Sequence, residues 1–222
     1  MVLRIFIFSF LIFVIILIFF HSLIIKKITI SVLENVTEKK IFIDDINIDF
    51  KSSLISLNSV KIFNSNQFKY RYFFTCRKID LKINVSSIFS NLVEFEDILF
   101  YEPKIYLDIK NQNTNNKKDN ISELEKSLPT YKPKIYPTKE NDRNILIKKG
   151  GTLKPKANLN YDNIYTIEDL KLSEMELMNV GNGSANSQHF KDVFKLILFD
   201  LYFRIPDQNI KNKLKKIYKL KI

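Results

Sequence analysis

The chain has 222 residues, 27% of them charged and 45% apolar. That is enough for one ordinary domain or two small ones, and too apolar for disorder along the whole length. One cysteine excludes an internal disulfide framework, and with only two histidines a zinc centre lacks ligands.

The formal net charge of +11 comes from 30 Lys and 5 Arg against 24 acidic residues. Nucleic-acid readers lean on the bidentate fork of arginine. This excess is nearly all lysine, in a chain equally rich in Ile, Asn and Phe. It reads as compositional bias, and no nucleic-acid partner is expected. Attraction to anionic lipid headgroups stays open. The chain contains no G-x-G-x-x-G, Walker loop, G-x-S-x-G or H-E-x-x-H. No cofactor, metal or catalytic residue is expected, and the protein reads as a non-enzyme.

Residues 5–25, IFIFSFLIFVIILIFFHSLII, carry no formal charge with His21 neutral. As a helix this stretch is about 30 Å long, which matches a bilayer core. A soluble helix is seldom apolar on every face for so long. No small-x-small cleavage site follows, so the reading is an uncleaved single-pass anchor containing Ile5, Phe8, Leu11, Ile15, Ile18 and Phe20. Only Arg4 and the amino terminus precede it, whereas Lys26, Lys27, Lys39 and Lys40 follow closely. The local lysine count places the following segment in the cytoplasm, a rule that weakens when a long domain follows.

After an anchor and its extension over 1–36, the hydrophobic period changes from 3.6 to 2. A first β-rich segment is expected over 37–110. Ile79, Leu81 and Ile83 alternate with Asp80 and Lys82. Ile105, Leu107 and Ile109 alternate with Tyr106 and Asp108. Ile41 and Ile43, then Ile46, Ile48 and Phe50, alternate with a face switch at Asp44-Asp45 that a bulge explains. Leu54 to Phe63 and Val93 to Tyr101 read as further strands, with a turn or one helical turn over 86–91 capped by its serines. Residues 111–140 contain an Asn/Lys tract and Pro129, Pro133 and Pro137, and read as a mobile linker. A short helix near Ile121 to Leu128 is expected inside it, with Ser122 and Glu125 resembling a capping box. A second β-rich segment covers 141–180, with strands at 144–148, 153–161, 165–172 and 174–178 and a turn at Gly150-Gly151. Residues 188–222 form terminal helices. Phe190, Val193, Phe194, Ile197, Leu198 and Leu201 mark one face, Pro206 is the stop, and Asp207 is the cap of a last basic segment. The expected fold is α+β: an N-terminal transmembrane helix, a curved and mainly antiparallel sheet, and a C-terminal amphipathic helix.

The order of these elements resembles the amino-terminal part of the AsmA-like family of envelope proteins. The resemblance rests on Val36-Thr37 with Ile41 to Phe50, on Val60-Lys-Ile62-Phe-Asn64 to Phe68, and on Ile79-Asp-Leu81-Lys-Ile83-Asn-Val85. It continues in Ile98 to Leu107 around Pro103, and in Leu177-Met-Asn-Val180-Gly181. It covers about residues 1–110 and 144–205. Asn64-Ser65 replaces the usual Asn-Pro, and Gln67 stands where Gly is usual.

The resemblance implies a bacterial inner-membrane protein with its strands in the periplasm, against the local lysine count. It implies an apolar sheet face that binds acyl chains and assists lipid transport or outer-membrane assembly, with membrane lipid and other envelope proteins as partners. Ile79, Leu81, Ile83, Ile105, Leu107 and Ile109 are the candidate lipid contacts. The alternative for each is core packing under the terminal helix. At the level of function, the alternative is an anchored scaffold or assembly factor without lipid cargo.

Asp44, Asp45 and Asp49, and Glu94, Glu96 and Asp97, form carboxylate groups with no neighbouring histidine and read as solvated faces or bends. Cys76 reads as a small packing group. His189 is expected at the surface, and phosphate binding at Gly181-Asn-Gly-Ser lacks the lysine of a P-loop.

Overall fold

The computed structural model describes Leu23 and residues 26–31, 33–34, 37–110, 118–127, 144–181 and 190–218. The predicted anchor lies outside the described residues except for Leu23, and so do the prolines at 129, 133 and 137 and both histidines. Among the described residues, no helix is long and apolar enough to cross a membrane.

The fold is α+β with an eleven-stranded mixed sheet. A hairpin forms its spine. β3 (Leu54–Phe63) runs antiparallel to β4 (Tyr72–Ile83) along its whole length. The short strands β1 (Ile41–Phe42) and β2 (Asp45–Asp49) pair with the outer edge of β3. The face switch expected at Asp44-Asp45 coincides with the break between these two strands.

The other edge of β4 is shared. Residues 78–83 pair with β5 (Leu92–Tyr101), and Phe74 and Thr75 pair with β6 (Lys104–Lys110). Outside β5 lie β8 (Asn144–Leu153), parallel to it, and β11 (Glu176–Gly181). Outside β6 lie β9 (Lys156–Tyr161), again parallel, and β10 (Tyr165–Lys171). The sheet therefore has two wings joined along β3 and β4.

A seam separates the wings. Strands break at Glu102-Pro103, at Lys154-Pro155 and between Lys171 and Glu176. Proline has no N–H to donate, so the ladder cannot run through Pro103 or Pro155. Their carbonyls still accept, from Lys156 N–H at 2.9 Å and Leu172 N–H at 3.0 Å. Ser59, Glu102 and Lys154 take positive φ of 51°, 52° and 52° at the same level. The irregularity shifts side-chain parity: Leu57 and Val60, an odd spacing apart on β3, are both buried in one cluster.

Two elements differ from the sequence expectation. Gly150-Gly151 is no turn: β8 runs through it between β5 and β11, and the break falls at Lys154-Pro155 instead. Residues 118–127 belong to the fold rather than to a linker. β7 (Lys118–Asp119) pairs with β6, and α1 (Asn120–Ser127) follows with Asn120 and Ile121 fully buried. Its cap is Asp119, whose carboxylate accepts from Ser122 N–H and Oγ–H, each at 2.8 Å. The turn or single helical turn expected over 86–91 is present as a 3₁₀ helix, Val85–Phe89.

Helix α2 (Phe190–Arg204) ends before Pro206, and α3 (Gln208–Tyr218) starts with Asp207 accepting from Ile210 N–H at 3.0 Å. Leu198, Leu201, Ile205, Ile210 and Leu214 of this helical pair pack onto the wing of β6, β9 and β10. Asp200 fastens α2 to the β10–β11 connection by accepting from Ser173 N–H at 2.6 Å and Oγ–H at 2.9 Å. Gly181, at the end of β11, has φ +152°, and an added Cβ would lie 2.1 Å from the Ile145 carbonyl oxygen. Only glycine fits there.

Candidate functional site

Cross-strand rows define one apolar face over both wings. On the helix-covered wing, Ile105, Ala157 and Leu170 lie opposite one another, as do Leu107, Leu159 and Ile167. On the other wing one row is Ile48, Ile55, Leu81, Ile98, Gly150 and Leu177. A second is Ile46, Leu57, Ile79, Phe100 and Thr152, and a third is Ile83, Phe95, Ile147 and Val180. Ile62 and Phe74 pack against the clusters of both wings.

The two wings differ in cover. The cluster under α2 and α3 is buried at its centre, with Leu107 and Ile109 each 1% exposed, and partly buried at its edge, where Ile167 and Leu170 lie. The cluster on the other wing contains no residue of either helix. Among the described residues outside the sheet and its strand connections, Ile30 and Leu33 are the ones that pack on it. Its members Ile48, Ile55, Leu81, Phe95, Phe100 and Ile147 are only partly buried.

A cavity of about 270 Å³ lies at the seam on this apolar face. Ile62, Phe73 and Phe74 of the spine, Phe100 and Ile105 on either side of Pro103, and Leu172, Met175 and Leu177 form its floor and wall. Val193, Phe194 and Ile197 of α2 form its roof, and Phe194 meets Phe73 edge to face at 6.4 Å. Its polar edge is sparse, supplied by Thr37, Thr152 and Lys156. Its almost wholly apolar lining suits hydrocarbon.

The six expected contact residues share the apolar face but not one environment. Leu107 and Ile109 are core under the helices, as the packing alternative had it. Ile105 lines the cavity. Ile79 is 7% exposed within the second cluster, while Leu81 and Ile83 are partly exposed on the same wing. The anchor residues Ile5, Phe8, Leu11, Ile15, Ile18 and Phe20 lie outside the described residues. Sequence reading missed the aromatic members Phe73, Phe74 and Phe100 and the cavity roof. The unbroken apolar stretch Tyr72-Phe-Phe was the available signal.

The polar face hides a second feature. Asp108 is fully buried, although it reads as the solvent side of an alternating strand. The loop between β3 and β4 folds over it. Lys69 N–H donates to Asp108 Oδ2, Tyr70 N–H does so at 3.2 Å, and Asn160 Nδ2 donates to Oδ1 at 2.7 Å. Asn120 accepts from Asp108 N–H at 3.0 Å and donates to the Tyr106 carbonyl at 2.6 Å. Asn64 donates to the Tyr70 and Tyr72 carbonyls at 3.0 and 3.2 Å, so it organises the turn without the usual proline after it. Burial pushes the Tyr70 hydroxyl up to about 12, helped by Glu168 and Asp108. This network is a staple between the loop, α1 and β6. Both carboxylate oxygens of Asp108 thus accept hydrogen bonds from within the protein.

The carboxylate groups are structural. Asp49 accepts from Lys51 N–H at 2.9 Å and Ser52 Oγ–H at 2.6 Å, and the Ser52 hydroxyl is the main cause of its lowered pKa. Glu94 pairs with Lys148 at 2.8 Å, which chiefly lowers its pKa, and Glu96 pairs with Lys82 at 3.0 Å. Cys76 is 3% exposed, and burial pushes its thiol up to about 11. Such a thiol is neutral and unreactive near pH 7. Among the described residues, no three His, Cys, Asp or Glu side chains converge on a metal position. Searches of protein-family models, of curated proteins and of solved structures find no match to this chain.

Proposed function

We propose that this protein binds lipid acyl chains on the apolar face of its sheet, held at a membrane by the 5–25 segment. The cavity under α2 receives one end of the chain, and the bare wing carries the rest. The observation behind this reading is the uneven cover: α2 and α3 pack over one wing, while on the other Ile48, Ile55, Leu81, Phe95 and Ile147 stay partly exposed around a buried set, beside an apolar cavity. A row across six strands spans about 24 Å at ~4.8 Å per strand, longer than the tail of one leaflet, about half of ~30 Å. Each buried methylene contributes ~0.8 kcal/mol, so ten offer a gross gain of about 8 kcal/mol, reduced by the cost of ordering the chain. The seam residues Ser59, Pro103 and Pro155 bend the sheet in this reading and keep its apolar side continuous.

The family resemblance adds the setting: a single-pass protein of the bacterial inner membrane, strands in the periplasm, assisting lipid transport or outer-membrane assembly with other envelope proteins. No chemistry on the substrate is required. A photoreactive phenylalanine analogue at Leu177 or Ile55 of the full chain, irradiated in cells, is expected to capture phospholipid. The same group at Ile164, 82% exposed and outside both clusters, is expected to capture none. Equal lipid capture at all three positions, or none at Leu177 and Ile55, contradicts the proposal.

A further inference from the structure

The polar face at the seam carries cations where a sheet ordinarily avoids them. Lys61 lies opposite Thr75, Thr75 opposite Lys104, Lys104 opposite Lys156, and Lys156 opposite Lys171. Five strands are crossed in one row, about 19 Å at ~4.8 Å per strand. Like charges placed directly opposite destabilise a sheet, and here three lysines follow one another on β6, β9 and β10. The neighbouring carboxylate is Asp169, 2.9 Å from Lys104 and 3.7 Å from Lys156. It sits at the β10 bulge with φ 53°, held by its N–H donating to Asn158 Oδ1 at 2.9 Å. One anion thus serves two ammonium groups.

A cleft of about 620 Å³ opens on this row, next to the apolar cavity, with Lys156 lining both. Lys61, Arg77, Lys104, Lys154 and Lys156 line it, against Glu102 and Asp169 alone. Glu102 is taken by Arg77 at 3.3 Å. No carboxylate pairs with the Lys61 or Lys154 ammonium among the described residues. The excess is three positive charges in a concave site, where low-dielectric walls focus the field. Lys154 stands at the rim with a positive φ of 52° beside the Pro155 break, and the Lys61 ammonium lies over the Phe42 and Tyr72 rings at 5.4 and 5.8 Å.

We infer that this cleft binds a phosphate group bearing two or more negative charges, with Lys104 and Lys156 as its main ligands and Lys154 at the rim. A phosphate relieves the repulsion along the row and makes charge-assisted hydrogen bonds to both ammonium groups. The inference does not rest on acyl binding, although Lys156 lines the apolar cavity as well.

The test uses the full chain in an uncharged detergent, titrated calorimetrically with inorganic pyrophosphate and, separately, with dihexanoyl phosphatidic acid. Saturable binding of either is expected, weakened tenfold or more by K104Q/K156Q and changed less than twofold by K51Q/K216Q, which removes the same charge elsewhere. Binding of pyrophosphate alone identifies a soluble ligand, and binding of the phosphatidic acid alone identifies a lipid headgroup. Lys154→Gln, at the exposed rim, serves as the second variant if the double one does not fold, with a threefold or greater loss expected. No saturable binding of either probe, or equal loss in the cleft and control variants, overturns the inference.

Discussion

Asp108→Ala is expected to destabilise the protein by about 3 kcal/mol or more, because it strips partners from several buried donors at once. Lys69 N–H, Tyr70 N–H and Asn160 Nδ2 all donate to this carboxylate, which is fully buried. Water cannot replace the lost acceptor there without opening the loop. Asp108→Asn keeps one oxygen for the two loop N–H groups and needs only a turn of the Asn160 amide. Its expected cost is smaller, about 1–2 kcal/mol. Urea unfolding of the three proteins measures both values. An alanine variant within about 0.5 kcal/mol of the parent contradicts the staple.

The second large effect separates the two wings. Leu107→Ala is expected to cost about 2–5 kcal/mol, since Leu107 is 1% exposed beneath α2 and α3 and its removal leaves a cavity. Leu107→Asp is expected to prevent folding. Leu81 holds the equivalent place in its own alternating strand yet stays partly exposed, and Leu81→Ala is expected to cost about 1 kcal/mol. Equal costs at the two positions would mean that both wings are sealed. Denaturant midpoints, taken with unchanged slopes, decide the matter.

These contrasts show what the sequence made legible. Alternation at Ile79-Leu81-Ile83 and Ile105-Leu107-Ile109 identifies one face of each strand, because the side-chain period of a strand is two. It does not say which face meets a helix, since that follows from pairing between distant segments. β5 pairs in parallel with β8, and β6 with β9, across residues 111–143. No local pattern encodes such a crossover. Asp108 looked solvated for the same reason: its cover arrives from the β3–β4 loop and from Asn120. Gly150-Gly151 looked like a turn by composition, but both lie mid-strand, with Gly150 3.6 Å from the Ile98 carbonyl and Gly151 3.4 Å from Leu99 Cδ1 for any added Cβ. The breaks belong to Pro103 and Pro155, whose missing N–H groups were visible in the sequence. Only the alignment of the two breaks into one seam was not.

The seam also accounts for the arrangement of candidate sites. It interrupts side-chain alternation, so the spine turns Leu57 and Val60 to the same side while leaving a gap that large side chains do not fill. On the apolar side the gap is the cavity under Phe194. Next to it lies the cleft lined by Lys104 and Arg77, which reaches Val60 and Cys76 of the buried cluster.

The most direct measurement is mass spectrometry of lipids extracted from the full chain after purification, beside two variants. L81D/L177D places carboxylates in one row of the bare wing, and Ile164→Asp places one far from it. The parent and the Ile164 variant are expected to carry phospholipid in comparable amounts, and L81D/L177D, still folded by circular dichroism, to carry at least fivefold less. Equal lipid in all three, or none in the parent, would contradict acyl binding on this face.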